Sequence, residues 1–223
     1  MKQKYSLLNF VMVLLALSPL VFLAIIWNRL PGIVPIHYDI HFTPDKMDSK
    51  NALWLLNGTL SFVSIITYFL LLNLHRIDPK RRRQPPSLSF KRIAIVIVVF
   101  ITVLNFLILL SINNNIKLSQ KLLLSLLGLL IAFMGNYMNN LKPNYFAGLR
   151  LPWTLSSDYN WRKTHQLASK LWFWGGLLSV TITLLIPSDY SVQTFFALLS
   201  ILIIIPIIYS YRLFKQEKIN TDQ

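Results

Sequence analysis

The chain contains no cysteine in 223 residues. Disulfides, zinc–thiolate clusters and thiol nucleophiles are therefore excluded. Acidic residues are scarce: eight Asp and Glu stand against 22 Lys and Arg, a net charge of +14. No Ser-His-Asp set, HExxH or phosphate-binding loop is present, so those chemistries have no support in the sequence. No ionisable residue falls near the middle of any long apolar run. Proton-coupled carriers and pumps usually place carboxylates or histidines there, which counts against a transporter while leaving neutral-solute transport open. Internal repeats and low-complexity segments are also missing.

What is present is apolar. Hydrophobic residues make up 54% and charged residues 13%, too greasy for a soluble domain. A membrane-crossing helix needs about 20 mostly apolar residues. Six segments qualify: Leu7–Ile26, Leu55–Leu74, Ile93–Ile112, Leu122–Met138, Leu171–Ile186 and Val192–Tyr209. The first follows Lys2 and Lys4 but is longer than a signal core and precedes no small-x-small cleavage site, so it reads as a retained helix. The predicted fold is an all-α integral membrane protein of six helices. An even number of spans puts both termini on one side. With that side inside, inner segments carry 17 Lys and Arg and outer segments only five: Arg29, Lys46, Lys50, Lys117 and Lys121. The positive-inside rule then makes both termini cytoplasmic. "HRIDPKRRRQPPSLSFKR" becomes an inner loop facing anionic lipid, and its charge requires no direct contact with nucleic acid.

Two connections are elaborate. The outer one, residues 27–53, contains "LPGIVPIHYDIHFTPDKMDSK". Between Pro35 and Pro44, Ile36, Tyr38, Ile40 and Phe42 alternate with His37, Asp39, His41 and Thr43. Period two predicts an extended strand with its apolar face on the bundle. On a strand His37 and His41 stand about 13 Å apart, too far to share a metal. His37 with Asp39 is the closer pairing, but no third ligand of clear spacing completes a site, and no metal or other cofactor is expected. The alternative is a hydrogen-bonded cap whose imidazoles are free to titrate with external pH.

The inner connection, residues 135–170, is the more specific. Gly135, Pro143, Gly148 and Pro152 predict a folded loop rather than a continued helix. Ser156 or Ser157 is placed to cap a following helix with Asp158 in its first turn and Arg162 one turn on. Trp161, His165, Ala168 and Trp172 share one face of that helix; Arg162, Lys163, Gln166 and Lys170 lie off it. An amphipathic helix with Trp and basic residues suits an interfacial anchor. An anchor, however, has no need of Asn144, Gly148 or Pro152, and the alternative is one packed site built from Asn144, Arg150, Trp153, Trp161 and His165.

Together the two connections resemble the signatures of the SdpI family of bacterial membrane proteins. The shorter signature is carried by His37, Pro44, Asp45, Ser49 and Lys50. The longer is carried by Gly135, Asn136, Pro143, Asn144, Gly148, Arg150, Pro152, Trp153, Thr154, Trp161, Thr164, His165 and Lys170. Phe42 and Ser169 stand where the family usually has glycine. The resemblance implies a multi-pass protein of the bacterial cytoplasmic membrane, non-enzymatic, giving immunity against a membrane-active peptide toxin or signalling its presence. It implies an extracellular toxin peptide and a cytoplasmic transcriptional repressor as partners besides the lipid bilayer. The site residues it points to are Asn136, Asn144, Gly148, Arg150, Trp153, Thr154, Trp161, His165 and Lys170 inside, and His37, Asp39, Asp45 and Lys50 outside. A carrier or enzyme acting on a small molecule or ion through the His-bearing loops is the alternative. By chain order the protein divides into residues 1–74, the basic loop 75–92 and an SdpI-like region 93–223.

The charge asymmetry predicts positions 85 and 160 on the inner face and 45 and 115 outside: a single cysteine introduced at 85 should react with an impermeant maleimide only after cell lysis, while those at 45 and 115 react in intact cells. The absence of native cysteine makes the readout clean, and labelling at 85 with 45 silent would reverse the orientation.

Overall fold

In the computed structural model, residues 2–39, 43–81, 87–113 and 119–221 are described. Eight helices and one hairpin follow in the order α1 (Lys2–Ile26), β1 (Ile33–Tyr38), β2 (Pro44–Ser49), α2 (Ala52–Leu72), α3 (Leu74–Ile77), α4 (Leu88–Ile112), α5 (Gln120–Met138), α6 (Pro152–Ser156), α7 (Asp158–Leu185) and α8 (Ser188–Thr221). Six of them, α1, α2, α4, α5, α7 and α8, are long and apolar enough to cross a membrane. Each contains or nearly contains one of the six apolar runs, so the all-helical, multi-span architecture read from the sequence holds. The helices overrun the apolar runs at their polar ends. α7 begins at Asp158, because its amphipathic first turns and the apolar stretch from Leu171 form one rod, and α8 continues past Tyr209 through Lys215 and Lys218.

Contacts divide the chain into two units. The first comprises Met1–Leu70 with Ala94–Leu123, and the second Leu71–Ile93 with Leu124–Gln223.

In the first unit the 27–53 connection is a hairpin. β1 pairs antiparallel with β2, Val34 opposite Asp48, with irregular register around His37. The sequence reading expected extension through Phe42. The described strand ends at Tyr38, and Ile40, His41 and Phe42, like Pro85 and Asn115, lie outside the described residues. The partner strand Pro44–Ser49 was not anticipated, because its six residues are all exposed and carry no apolar alternation. Of the expected inward face, Ile36 packs against an apolar cluster of Leu23, Ile26, Leu30, Leu53, Leu109 and Ile112, and Val34, before the predicted alternation, is fully buried in it.

The two prolines inside long helices show how the bundle keeps its backbone satisfied. A proline has no N–H, so it frees the carbonyl four residues earlier. Pro19 frees Leu15, whose oxygen accepts from Ser18 Oγ at 2.7 Å and from Thr102 Oγ1 of α4 at 3.4 Å. Pro206 frees Leu202, whose oxygen accepts from Trp172 Nε1 of α7 at 3.0 Å. In hydrocarbon such carbonyls have no water to turn to, and side chains of a neighbouring helix replace it.

In the second unit α5 and α7 meet through small residues. A Cβ on Gly176 would lie 2.5 Å from Ala132 N and 2.7 Å from Gly128 O, and one on Gly135 would lie 2.4 Å from Phe173 N. Close backbone approach of this kind is the membrane solution to packing without a hydrophobic driving force. Gly135 and Asn136 lie in the last turns of α5, within the fourth apolar run, so Gly135 marks a helix crossing and not the start of the folded loop. Gly176→Leu is expected to destabilise the protein by at least about 3 kcal/mol, because backbone rather than a flexible side chain obstructs it. Leu178→Phe on the exposed side of α7 should change little. Thermal melts of both variants in detergent, followed by size-exclusion chromatography, would test the contrast.

Candidate functional site

The chain between α5 and α7 is held by its own polar side chains. Asn144 is fully buried and uses its whole amide. Its Oδ1 accepts from Phe146 N at 2.9 Å and Ala147 N at 2.7 Å, and its Nδ2 donates to the carbonyls of Lys142 and Ala147, each at 3.0 Å. Two acceptor and two donor contacts exhaust an asparagine of this kind. The turn it organises leads to Gly148, which has φ +99° and sits where a Cβ would be 2.3 Å from His165 Nε2. Only glycine meets both conditions without strain.

His165 reaches this turn from α7. It is fully buried; Nδ1 lies 2.8 Å from the Trp161 carbonyl, and Nε2 accepts from Leu149 N at 3.1 Å. A carbonyl on one side and an N–H on the other define the neutral ring with its proton on Nδ1. The Trp161 ring stacks on it, centroids 4.0 Å apart and planes 19° apart, and Trp161 Nε1 donates to Leu141 O at 2.7 Å. Trp161 is 1% exposed. The interfacial-belt reading of this tryptophan is thus corrected: its indole is spent inside the protein, satisfying a carbonyl just beyond α5.

Thr154, also buried, ties α6 into the same loop. Its hydroxyl accepts from Leu151 N at 2.9 Å and donates to Leu149 O at 2.7 Å. Trp153 turns to α8 instead, donating from Nε1 to Ser210 Oγ at 2.9 Å and stacking near Tyr211 and Phe214. Ser157 is the N-cap of α7, accepting from Asn160 N at 3.1 Å while its hydroxyl donates to Glu217 at 2.7 Å. Asp158 and Arg162, though correctly spaced, are both exposed. No ion pair joins them.

Arg150 is exposed and one guanidinium nitrogen donates to Tyr145 O at 2.6 Å. Asn136 and Lys170 are exposed and stand apart from the packed set. Of the residues singled out in sequence, the structure joins Asn144, Gly148, Trp161, Thr154 and His165 in one core. Trp153 and Arg150 form its rim.

Sequence reasoning missed the second clamp. Asp78, at the end of α3, is fully buried and its carboxylate accepts from Tyr145 N at 2.8 Å and Lys80 N at 2.9 Å. Lys80 donates to Leu155 O. The segment 74–81 is therefore folded against the 142–155 loop, and only partly the lipid-facing basic loop expected. A lone acid before proline in a run of bases was the available signal. Asn160 and Ser210 were missed as well: Asn160 Nδ2 donates to Ser210 O at 2.9 Å, fastening α7 to α8. A shallow groove of about 510 Å³ beside them is lined by Trp153, Ile207, Ile208, Tyr211, Arg212 and Lys215.

The outer-loop residues have structural partners of their own. His37 Nδ1 lies 2.6 Å from Asp45 Oδ1, an exposed cross-strand pair. The partner of His37 is thus Asp45 and not Asp39. Asp39 closes the turn by accepting from Thr43 N at 2.8 Å. Lys50 donates to Trp27 O at 3.1 Å and lies 4.5 Å above the Trp27 ring, pinning the hairpin's end to the end of α1.

These features define a class: a multi-span α-helical membrane protein whose chemically specific residues are gathered in one folded connection and one hairpin. Residues 140–210 match the SdpI/YfhL protein family, and residues 14–60 match a domain of unknown function (DUF1648). The SdpI/YfhL match agrees with the resemblance of the longer connection and spans the packed loop, α6, α7 and most of α8. No curated protein and no solved structure matches it.

Gly148→Ala is expected to cost about 2–4 kcal/mol, from positive φ together with overlap on the His165 ring. Lys142→Ala, exposed in the same loop, should cost less than about 0.5 kcal/mol. Comparison of their melting temperatures would decide whether the Gly148–His165 contact is the centre of the loop.

Proposed function

We propose that this chain is an SdpI-like protein of the bacterial cytoplasmic membrane that gives immunity against a membrane-active peptide and reports the peptide's presence on the inner face. The observation that carries the reading is the coincidence of the SdpI/YfhL match with a loop whose polar groups are consumed in holding its own shape. Such a loop is a rigid recognition surface. A catalytic apparatus would keep a lone pair or proton available for substrate, and both ring nitrogens of His165 are engaged. This disfavours the enzyme or carrier reading through His165.

On the opposite face the hairpin is suited to an extended peptide. β2 is fully exposed in a two-stranded sheet, so its outer edge can accept a further strand by main-chain hydrogen bonds. Inside, the exposed rim of Arg150, Tyr145 and the Arg212–Lys215 groove is a basic and aromatic surface for a partner protein, in keeping with a membrane-held transcriptional repressor.

Deletion of the gene should raise sensitivity to culture supernatants of related peptide-toxin producers, and expression of the intact chain should restore survival. Arg150→Lys, at an exposed position, should retain membrane level and topology but lose protection or reporting, since a lysine cannot present the planar guanidinium face. His165→Ala should do the same with a lower melting temperature. Unchanged sensitivity on deletion would defeat the immunity reading, and full function of Arg150→Lys would remove Arg150 from the recognition surface.

A further inference from the structure

The first unit buries an unusual set of side chains. On α2 the inward positions Asn57, Ser61, Ser64 and Tyr68 recur at helical spacing and are all 0–1% exposed; on α4, Asn105 is 0% and Thr102 4% exposed. Tyr68 donates its hydroxyl to Asn9 at 2.9 Å, Thr102 serves the Leu15 carbonyl, and Asn57 Nδ2 donates to Leu53 O at 2.9 Å. The remainder is unsatisfied. Asn57 Oδ1, Ser61 Oγ, Ser64 Oγ and both amide atoms of Asn105 have no partner among the described residues.

Five unsatisfied polar atoms inside one helical unit call for a reason, since most buried polar atoms are paired with protein or water. Their depths match. At 1.5 Å per residue, Asn57 and Ser61 lie about 8 and 14 Å from the Ala52 end of α2, and Asn105 about 10 Å from the Ile112 end of α4. Those two ends lie on one side of the bilayer, because α2 and α4 are successive spans. Just beyond them sit the apolar residues Leu53, Leu109 and Ile112. The polar atoms thus lie beneath an apolar lid and not at the membrane surface. The atoms present are neutral amide and hydroxyl groups, both donors and acceptors. No charged side chain is buried in the first unit among the described residues. That chemistry fits a small neutral guest able to donate and accept, with two to four polar partners, which is what buried water requires.

We propose that the inward faces of α2 and α4 hold a cluster of ordered water molecules, bound by Asn57, Ser61, Ser64 and Asn105, and that the stripe toward Tyr68 is its continuation. The protein interior here is a hydrated seam under an apolar cap. Water so held supplies the missing hydrogen bonds and lets the hydroxyls exchange partners without unpacking the helices.

Radiolytic hydroxyl-radical footprinting of the unmutated protein in nanodiscs, in water labelled with ¹⁸O, tests this directly. Water bound inside generates radicals in place. Tyr68 and Phe90, 1% and 2% exposed, are comparably buried aromatic rings, one beside the seam and one in the second unit. Tyr68 should take up label several-fold faster than Phe90. The combined variant Ser61→Ala, Ser64→Ala and Asn105→Leu, close to volume-conserving and apolar, should bring Tyr68 down to the Phe90 rate. Equal rates in the unmutated protein would overturn the proposal. So would a fast Tyr68 rate that the combined variant leaves unchanged, since water would then be held by other groups.

Discussion

Everything in this protein that is not regular helix depends on one constraint: a backbone N–H or C=O removed from the helical ladder must find a partner within the protein. The two intrahelical prolines release carbonyls that a threonine and a tryptophan from other helices take up. The loop after α5 releases a whole series of groups, and the protein spends Asn144, Asp78, Thr154, Trp161 and His165 on them. The density of unusual residues in this short span is therefore first a hydrogen-bonding requirement.

The six helices were legible in the sequence because long apolar runs have few other meanings. The face of α7 carrying Trp161, His165, Ala168 and Trp172 was legible from its periodicity, and the cap at Ser157 from its residue type. The burial of Trp161 was not. An indole at a helix start beside basic residues has the same pattern whether it faces headgroups or a carbonyl from the preceding loop. Asp78 and the strand Pro44–Ser49 escaped for a related reason. Each is defined by a partner distant in sequence, and a polar residue gives no periodic sign of what it will meet. Gly135 was misplaced because glycine marks both loops and close helix crossings. Ser169, which departs from the usual family glycine, donates to the Gly135 carbonyl at 2.8 Å and so adds a fastening at that crossing.

The two connections solve different problems. The hairpin presents an exposed strand and ties itself down at its base through Lys50 and Trp27 and through Val34 in the apolar cluster. Its register is irregular around His37. The connection between α5 and α7 does the opposite, with its central side chains Asn144, Thr154, Trp161 and His165 buried and hydrogen-bonded.

The unbroken course of α7 has a mechanical consequence. Its 28 residues run from the Ser157 cap to Leu185 without a proline. A helix of that length measures about 42 Å, longer than the hydrocarbon layer it crosses. It therefore behaves as a stiff lever. Swinging it by about 5° around its Leu185 end would carry the Trp161–His165 stack sideways by about 3 Å, comparable to the hydrogen-bond distances that hold the Gly148 turn. A small change of tilt at one end of the helix is thereby comparable in reach to the bonds that hold the loop at the other end.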